Sequence, residues 1–112
     1  MATPYATTQP QRAALDAMDG VVAVEFGTDW CGYCRAGSPP IAAALSAFPD
    51  ITHFKVEDGS GRPLGRSFRV KLWPTLVLVR QGQEVGRVVR PADAEEVRAA
   101  IASALQAGAG PA

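Results

Sequence analysis

The chain has 112 residues, of which 47% are hydrophobic, with eleven Lys and Arg against eleven Asp and Glu and only two cysteines. That fits one compact domain able to bury roughly 65% of its unfolded surface, and it excludes default disorder, a disulfide scaffold and a four-cysteine zinc site within the chain. Zero net charge lacks the electrostatic footprint of a nucleic-acid binder, and apolar runs such as Val21–Val24 fall far short of the ~20 residues needed to span a bilayer.

Residues 1–8 show no periodicity and are expected to form a loose end, with a single domain over 9–107 and a flexible tail over 108–112. The first twenty residues carry no basic start and no apolar core of a signal, which predicts a cytoplasmic protein, or a periplasmic one if the start was trimmed. Thr8 and Gln11 have capping-box spacing and predict a short helix over roughly 9–18, stopped by Asp19-Gly20. Val21–Phe26 is a continuous β-branched run, as in a strand covered on both faces. Cys34–Phe48 reads as a helix with Ile41, Ala44, Leu45 and Phe48 on one face. Pro39 and Pro40 lie inside it, so a kink or a late start is expected.

Thr52–Glu57 reads as a second strand, and the glycine-rich Asp58–Arg62 as a turn before a short helix at Pro63–Phe68. Asp58–Arg62 lacks the Gly-Lys-Ser/Thr ending of a phosphate loop. Thr75–Arg80 and Glu84–Val89 form a predicted hairpin about Gln81-Gly82-Gln83. Pro91–Leu105 closes the chain as an amphipathic helix, with Val97, Ile101 and Leu105 as its core stripe and Asp93, Glu95 and Glu96 at its positive end. The first half favours parallel pairing through a crossover and the second an antiparallel hairpin. The expected fold is therefore α/β, a mixed four-stranded sheet with helices on both faces.

The chemistry concentrates in Trp30-Cys31-Gly32-Tyr33-Cys34, at a strand-to-helix junction. Two intervening residues bring both sulfurs within disulfide reach across one helical turn. A helix N-terminus lowers a thiol's pKa below the ~8.5 of free cysteine. Cys31, the outer residue, is expected to be the nucleophile, and Cys34, one turn in, to resolve the mixed disulfide. A structural disulfide, two inert buried thiols, or a metal or iron–sulfur site shared between two chains remain alternatives at this point. His53 is the one histidine and is read as a bystander; a Cys-His protease finds little support.

Val21–Cys34 (VVAVEFGTDWCGYC) with Pro39, and Trp73–Val79 (WPTLVLV) with Gly82, resemble the thioredoxin family over roughly residues 10–106, in matching order and spacing. The resemblance implies a thioredoxin-like fold and a protein-disulfide oxidoreductase needing no bound cofactor and no metal. It implies that Pro74 is a cis-proline facing the cysteines, with the residue before it offering its backbone to a substrate strand. Glu25 matches the family's buried acid, able to take a proton from the resolving thiol, and Lys55 matches a lysine near that acid. Pro39 matches a structural kink proline. Trp30, Gly32, Tyr33, Trp73, Pro74 and Thr75 are the implied substrate-binding surface. The implied partners are disulfide-containing proteins and a flavin-dependent, thioredoxin-reductase-like electron donor, served by a monomer.

Four positions depart from the family pattern. Tyr33 replaces a proline between the cysteines and resembles the loop of bacterial disulfide isomerases, so an oxidising role stays open. Gly27 stands where a large aromatic is usual, which opens space behind the site. Trp73 is bulkier than usual before the proline, and Arg90 replaces a glycine. A partner-binding module with little catalysis is the remaining alternative.

Overall fold

The computed structural model describes residues 3–108. Its elements run α1 (Arg12–Asp16), β1 (Val21–Gly27), α2 (Gly32–Leu45), β2 (Thr52–Glu57), α3 (Pro63–Ser67), β3 (Thr75–Arg80), β4 (Gln83–Val89) and α4 (Ala94–Gly108). The sheet order is β2-β1-β3-β4. β1 pairs parallel with β2 and antiparallel with β3, and β3 pairs antiparallel with β4. The mixed four-stranded sheet is as expected.

Strand alternation sorts the core into two layers. Val21 and Ala23 of β1 and Leu76 and Leu78 of β3 pack under Ile41 and Leu45 of α2 and Val97 and Ile101 of α4. Val22, Val24, Phe26, Val77 and Val79 pack on the other face against Leu15 of α1 and Leu64 of α3. The same alternation turns Glu25 toward α2, into an otherwise apolar layer. β1 is buried along its whole length, and β2 only at Val56. The site therefore stands on the most buried strand.

Three helix starts differ from expectation, each for a physical reason. α1 is only five residues long, and the side chain of Gln11 at its N-cap caps nothing. The chain before it is tied elsewhere: Gln9 Nε2 donates to the Glu57 carbonyl at 2.9 Å, and Gln9 Oε1 accepts the Leu64 N–H at 3.2 Å. α2 begins at Gly32, ahead of its two prolines rather than after them. The carbonyls of Arg35 and Ala36, which the prolines cannot serve, belong to exposed residues that water can reach. α4 starts at Ala94, not Pro91, because Asp93 is the cap: its Oδ1 accepts the Glu96 N–H at 2.9 Å, and Glu96 Oε1 accepts the Ala92 N–H at 3.0 Å.

The expected loose end over residues 1–8 is corrected for residues 3–8. Ala6 forms a parallel bridge to Val56, with N–H···O bonds of 2.8 Å to Lys55 and from Glu57. Tyr5 is buried, and its N–H donates to Asp29 Oδ1 at 3.0 Å. The segment is an added edge to β2, and such long-range pairing leaves no local periodicity to read. The expected tail over 108–112 lies, apart from Gly108, outside the described residues.

Candidate active site

β1 ends at Gly27 and the chain turns through Thr28–Trp30 into α2, with Cys31 as the N-cap. Both cysteines are free; Cys31 is partly exposed and Cys34 buried. Their surroundings set them apart. Partial burial works against ionisation of Cys31, but the Cys34 thiol, the backbone N–H groups of Cys34 and Tyr33, and the Arg90 charge prevail and hold its pKa below the ordinary value. Burial pushes the Cys34 thiol up to about 11, although the Thr28 N–H points at its sulfur from 3.4 Å. The charge of a half-ionised pair therefore rests on Cys31 and the proton on Cys34.

The outer face of the site is aromatic. Trp30 and Tyr33 are 71% and 61% exposed, so neither is spent on the core. Trp30 meets Trp73 edge-to-face with ring centres 5.9 Å apart. Trp73 is held by an indole N–H bond of 2.9 Å to Asp58 Oδ2. The Arg90 guanidinium lies 3.7 Å over the Tyr33 ring, and its Nε donates to the Trp73 carbonyl at 2.9 Å. The Trp73–Pro74 bond is cis, as the resemblance implied. Pro74 presses on α2 at Gly37, where a Cβ would come within 2.6 Å of its Cγ. Thr75 is buried, with its hydroxyl donating to the Leu72 carbonyl at 2.6 Å, so its side chain is turned away from this surface.

The underside is polar and enclosed. Glu25 is 1% exposed and fully partnered. Its Oε2 accepts from the Tyr5 hydroxyl at 2.5 Å and from Ser38 Oγ at 3.0 Å, and its Oε1 lies 3.1 Å from His53 Nε2. Tyr5 occupies the space that Gly27 leaves open. A Cβ on Gly27 would come within 2.7 Å of the Tyr5 hydroxyl and 2.6 Å of Cys34 Sγ. The Tyr5 hydroxyl thus adjoins both the buried acid and the buried thiol. Burial first, then the neighbouring Glu25 charge, pushes its pKa far above the ordinary tyrosine value.

The structure brings Cys31, Cys34, Trp30, Gly32, Tyr33, Trp73 and Pro74 to one end of the sheet and puts Glu25 beneath them. Lys55 lies near the acid, in register with Glu25, but does not bond it. Its Nζ lies 4.6 Å over the Tyr5 ring and donates to the Thr3 carbonyl, and it makes no ion pair with Glu25. His53, read as a bystander, bonds that acid instead. The reason is register: Ala23 pairs with His53 and Glu25 with Lys55, so both β2 side chains share the acid's face, and Tyr5 holds the lysine. Sequence reasoning missed Tyr5 and Ser38. Gly27 was the available signal, since an empty space behind a buried thiol must be filled from somewhere.

The Thioredoxin family model matches residues 4–103. Thioredoxin H2-1 of Oryza sativa is 36% identical over 72% of this chain and 58% of its own length. The thioredoxin of Chlamydia trachomatis is 38% identical over 62% of this chain and 69% of its own. Thioredoxin 2 from Pseudomonas aeruginosa, in its reduced form, superposes with a TM-score of 0.81 at 52% identity, covering 98% of this chain and 100% of that one. The fold and the Cys-Gly-Tyr-Cys turn thus define a dithiol protein with one sheet and four helices among the described residues. The chain belongs to the thioredoxin family. It spans only about half the length of several curated relatives that it matches, with 58%, 40% and 52% of three of them.

Proposed function

We propose that the chain is a thiol-disulfide oxidoreductase that reduces protein disulfides by dithiol exchange. One observation carries this reading: a partly exposed Cys31 at a helix N-cap, with Cys34 buried one turn further in. The Cys31 thiolate attacks one sulfur of a substrate disulfide. A Cys31–substrate bond forms, the substrate bond breaks, and its electron pair leaves on the first substrate thiolate. Deprotonated Cys34 then attacks Cys31 Sγ, so the Cys31–Cys34 bond forms and the second substrate thiolate departs. Two electrons pass from the chain's dithiol to the substrate.

The remaining roles follow from placement. The main chain at Trp73–Pro74 receives an extended substrate segment, and Trp30, Gly32 and Tyr33 flank the attacking sulfur. Glu25 receives the Cys34 proton. A flavin-dependent reductase restores the dithiol in a reducing compartment such as the cytoplasm. All the reacting groups come from one chain, so a monomer suffices. No helix among the described residues is long and apolar enough to cross a membrane.

Reduction of an insulin-type disulfide by dithiothreitol tests this reading: wild type should accelerate it and Cys31→Ser should not. Equal rates for the two proteins would overturn it. A second reading has its own support. Stabilising the Cys31 thiolate with Arg90 and the helix N–H groups favours the reduced form and makes the pair more oxidising. Equilibration in glutathione buffers separates the two, with about −270 mV for a reductant and about −180 to −120 mV for an isomerase or oxidant.

A further inference from the structure

The general base in this site does not meet the thiol it serves through its own carboxylate. Glu25 bonds to Tyr5, Ser38 and His53, and it is Tyr5 that adjoins Cys34 across Gly27. We propose that the Tyr5 hydroxyl passes the Cys34 proton to Glu25, and that His53 connects Glu25 to solvent. This inference deepens the dithiol reading above and rests on it.

The hydrogen-bond donors run in one direction. A phenol has one proton, and donating it to Glu25 Oε2 at 2.5 Å leaves its oxygen able to accept from Cys34. As the Tyr5 proton moves to Glu25, the Cys34 proton moves to the Tyr5 oxygen. Tyr5 is neutral before and after, Glu25 gains one proton, and Cys34 becomes the thiolate. The Thr28 N–H, 3.4 Å from its sulfur, holds the new charge. That thiolate attacks Cys31 Sγ in the mixed disulfide, and the electron pair leaves on the substrate sulfur. Burial beside Glu25 raises the Tyr5 hydroxyl far above its ordinary range, which suits a group that transfers protons without ionising. The proton then leaves Glu25 through His53, whose Nε2 is 3.1 Å from Oε1 and whose ring reaches solvent. A cleft of about 520 Å³ lined by Glu25, Ser38, His53 and Lys55 gives water access to that end.

Two other charged groups hold Tyr5 in place. Lys55 of β2 lies over its ring, and Asp29 of the β1–α2 turn accepts its N–H. Arg35 of α2 lines a small cavity of about 250 Å³ with Tyr5, Asp29, Cys34 and Lys55. His53 is the titratable group that touches the acid from β2.

Rapid mixing of the reduced protein with a disulfide peptide, with acid quench and mass analysis, reads the two steps separately. Mixed-disulfide formation reports Cys31, and its disappearance reports Cys34. Tyr5→Phe should slow the second step by on the order of tenfold to a hundredfold at neutral pH. The deficit should close as pH approaches about 11, where Cys34 ionises without help. Glu25→Gln should show the same profile, and the double variant should be no slower than either single one. His53→Gln, which keeps the polar contact but cannot carry the proton, should show a smaller deficit with the same closing pH. A second step as fast as wild type in Tyr5→Phe at every pH overturns the relay. So does a deficit that stays constant with pH, as a purely structural loss would produce. If wild type forms no mixed disulfide, the dithiol reading falls and the relay with it, an outcome distinct from both.

Discussion

Cys31 and Cys34 sit one helical turn apart, yet the two sides of the site are built from different materials. Above Cys31 lie backbone N–H groups, two exposed tryptophan and tyrosine rings, and the Arg90 charge. Below Cys34 lie a buried carboxylate, a phenol, a serine and an imidazole drawn from positions 25, 5, 38 and 53. The upper side lowers a pKa with the neighbouring Cys34 thiol, the N–H groups of the same helix turn and one charge, Arg90, brought in from the end of β4. The lower side raises one by burial and must then provide a route for the proton. Two identical thiols one turn apart thus differ in acidity because their surroundings differ.

The largest expected effect separates the two sulfurs outright. Cys31→Ser should lower disulfide reduction by at least about a thousandfold. Cys34→Ser should instead trap a mixed disulfide on Cys31, visible as a mass adduct. An adduct on Cys34 in wild type would reverse the assignment.

Gly27→Ala strikes the lower side alone. Its methyl would overlap both Tyr5 and Cys34. A loss of about 1–3 kcal/mol is expected, read as a drop in the urea midpoint. An unchanged midpoint would mean that Tyr5 does not fill this space.

Arg90→Gln tests the upper side. The Arg90 cation favours the Cys31 thiolate, so removing it should raise the Cys31 pKa. The midpoint of the alkylation rate should move to higher pH, by less than about one unit for a charge at the surface. A downward shift would contradict the sign. Asp93→Ala, far from either thiol, should cost only about 1 kcal/mol through the lost α4 cap, with disulfide reduction unchanged.

The sequence made the upper side legible and the lower side only in part. Cys31, Cys34 and Tyr33 are contiguous, and Trp73-Pro74 stands before an apolar strand, so local pattern was enough. β2 and β3 also fell at the bounds expected for them. Glu25 was legible only through the resemblance to the thioredoxin family, whose buried acid it matches. Its partners were not. Tyr5 reaches the site through an edge pairing 50 residues away, Ala6 with Val56, which no local period announces. Lys55 and His53 lie on the same face of one strand, and only the position of Tyr5 decides which of them meets the acid.

The opposite acidities of Cys31 and Cys34 are measured by alkylating the reduced protein at a series of pH values, with each cysteine followed by peptide mass. Cys31 should react with a midpoint below that of an ordinary cysteine, while Cys34 should stay protected until the pH nears about 11. Coincident midpoints, or a lower one for Cys34, would contradict the account.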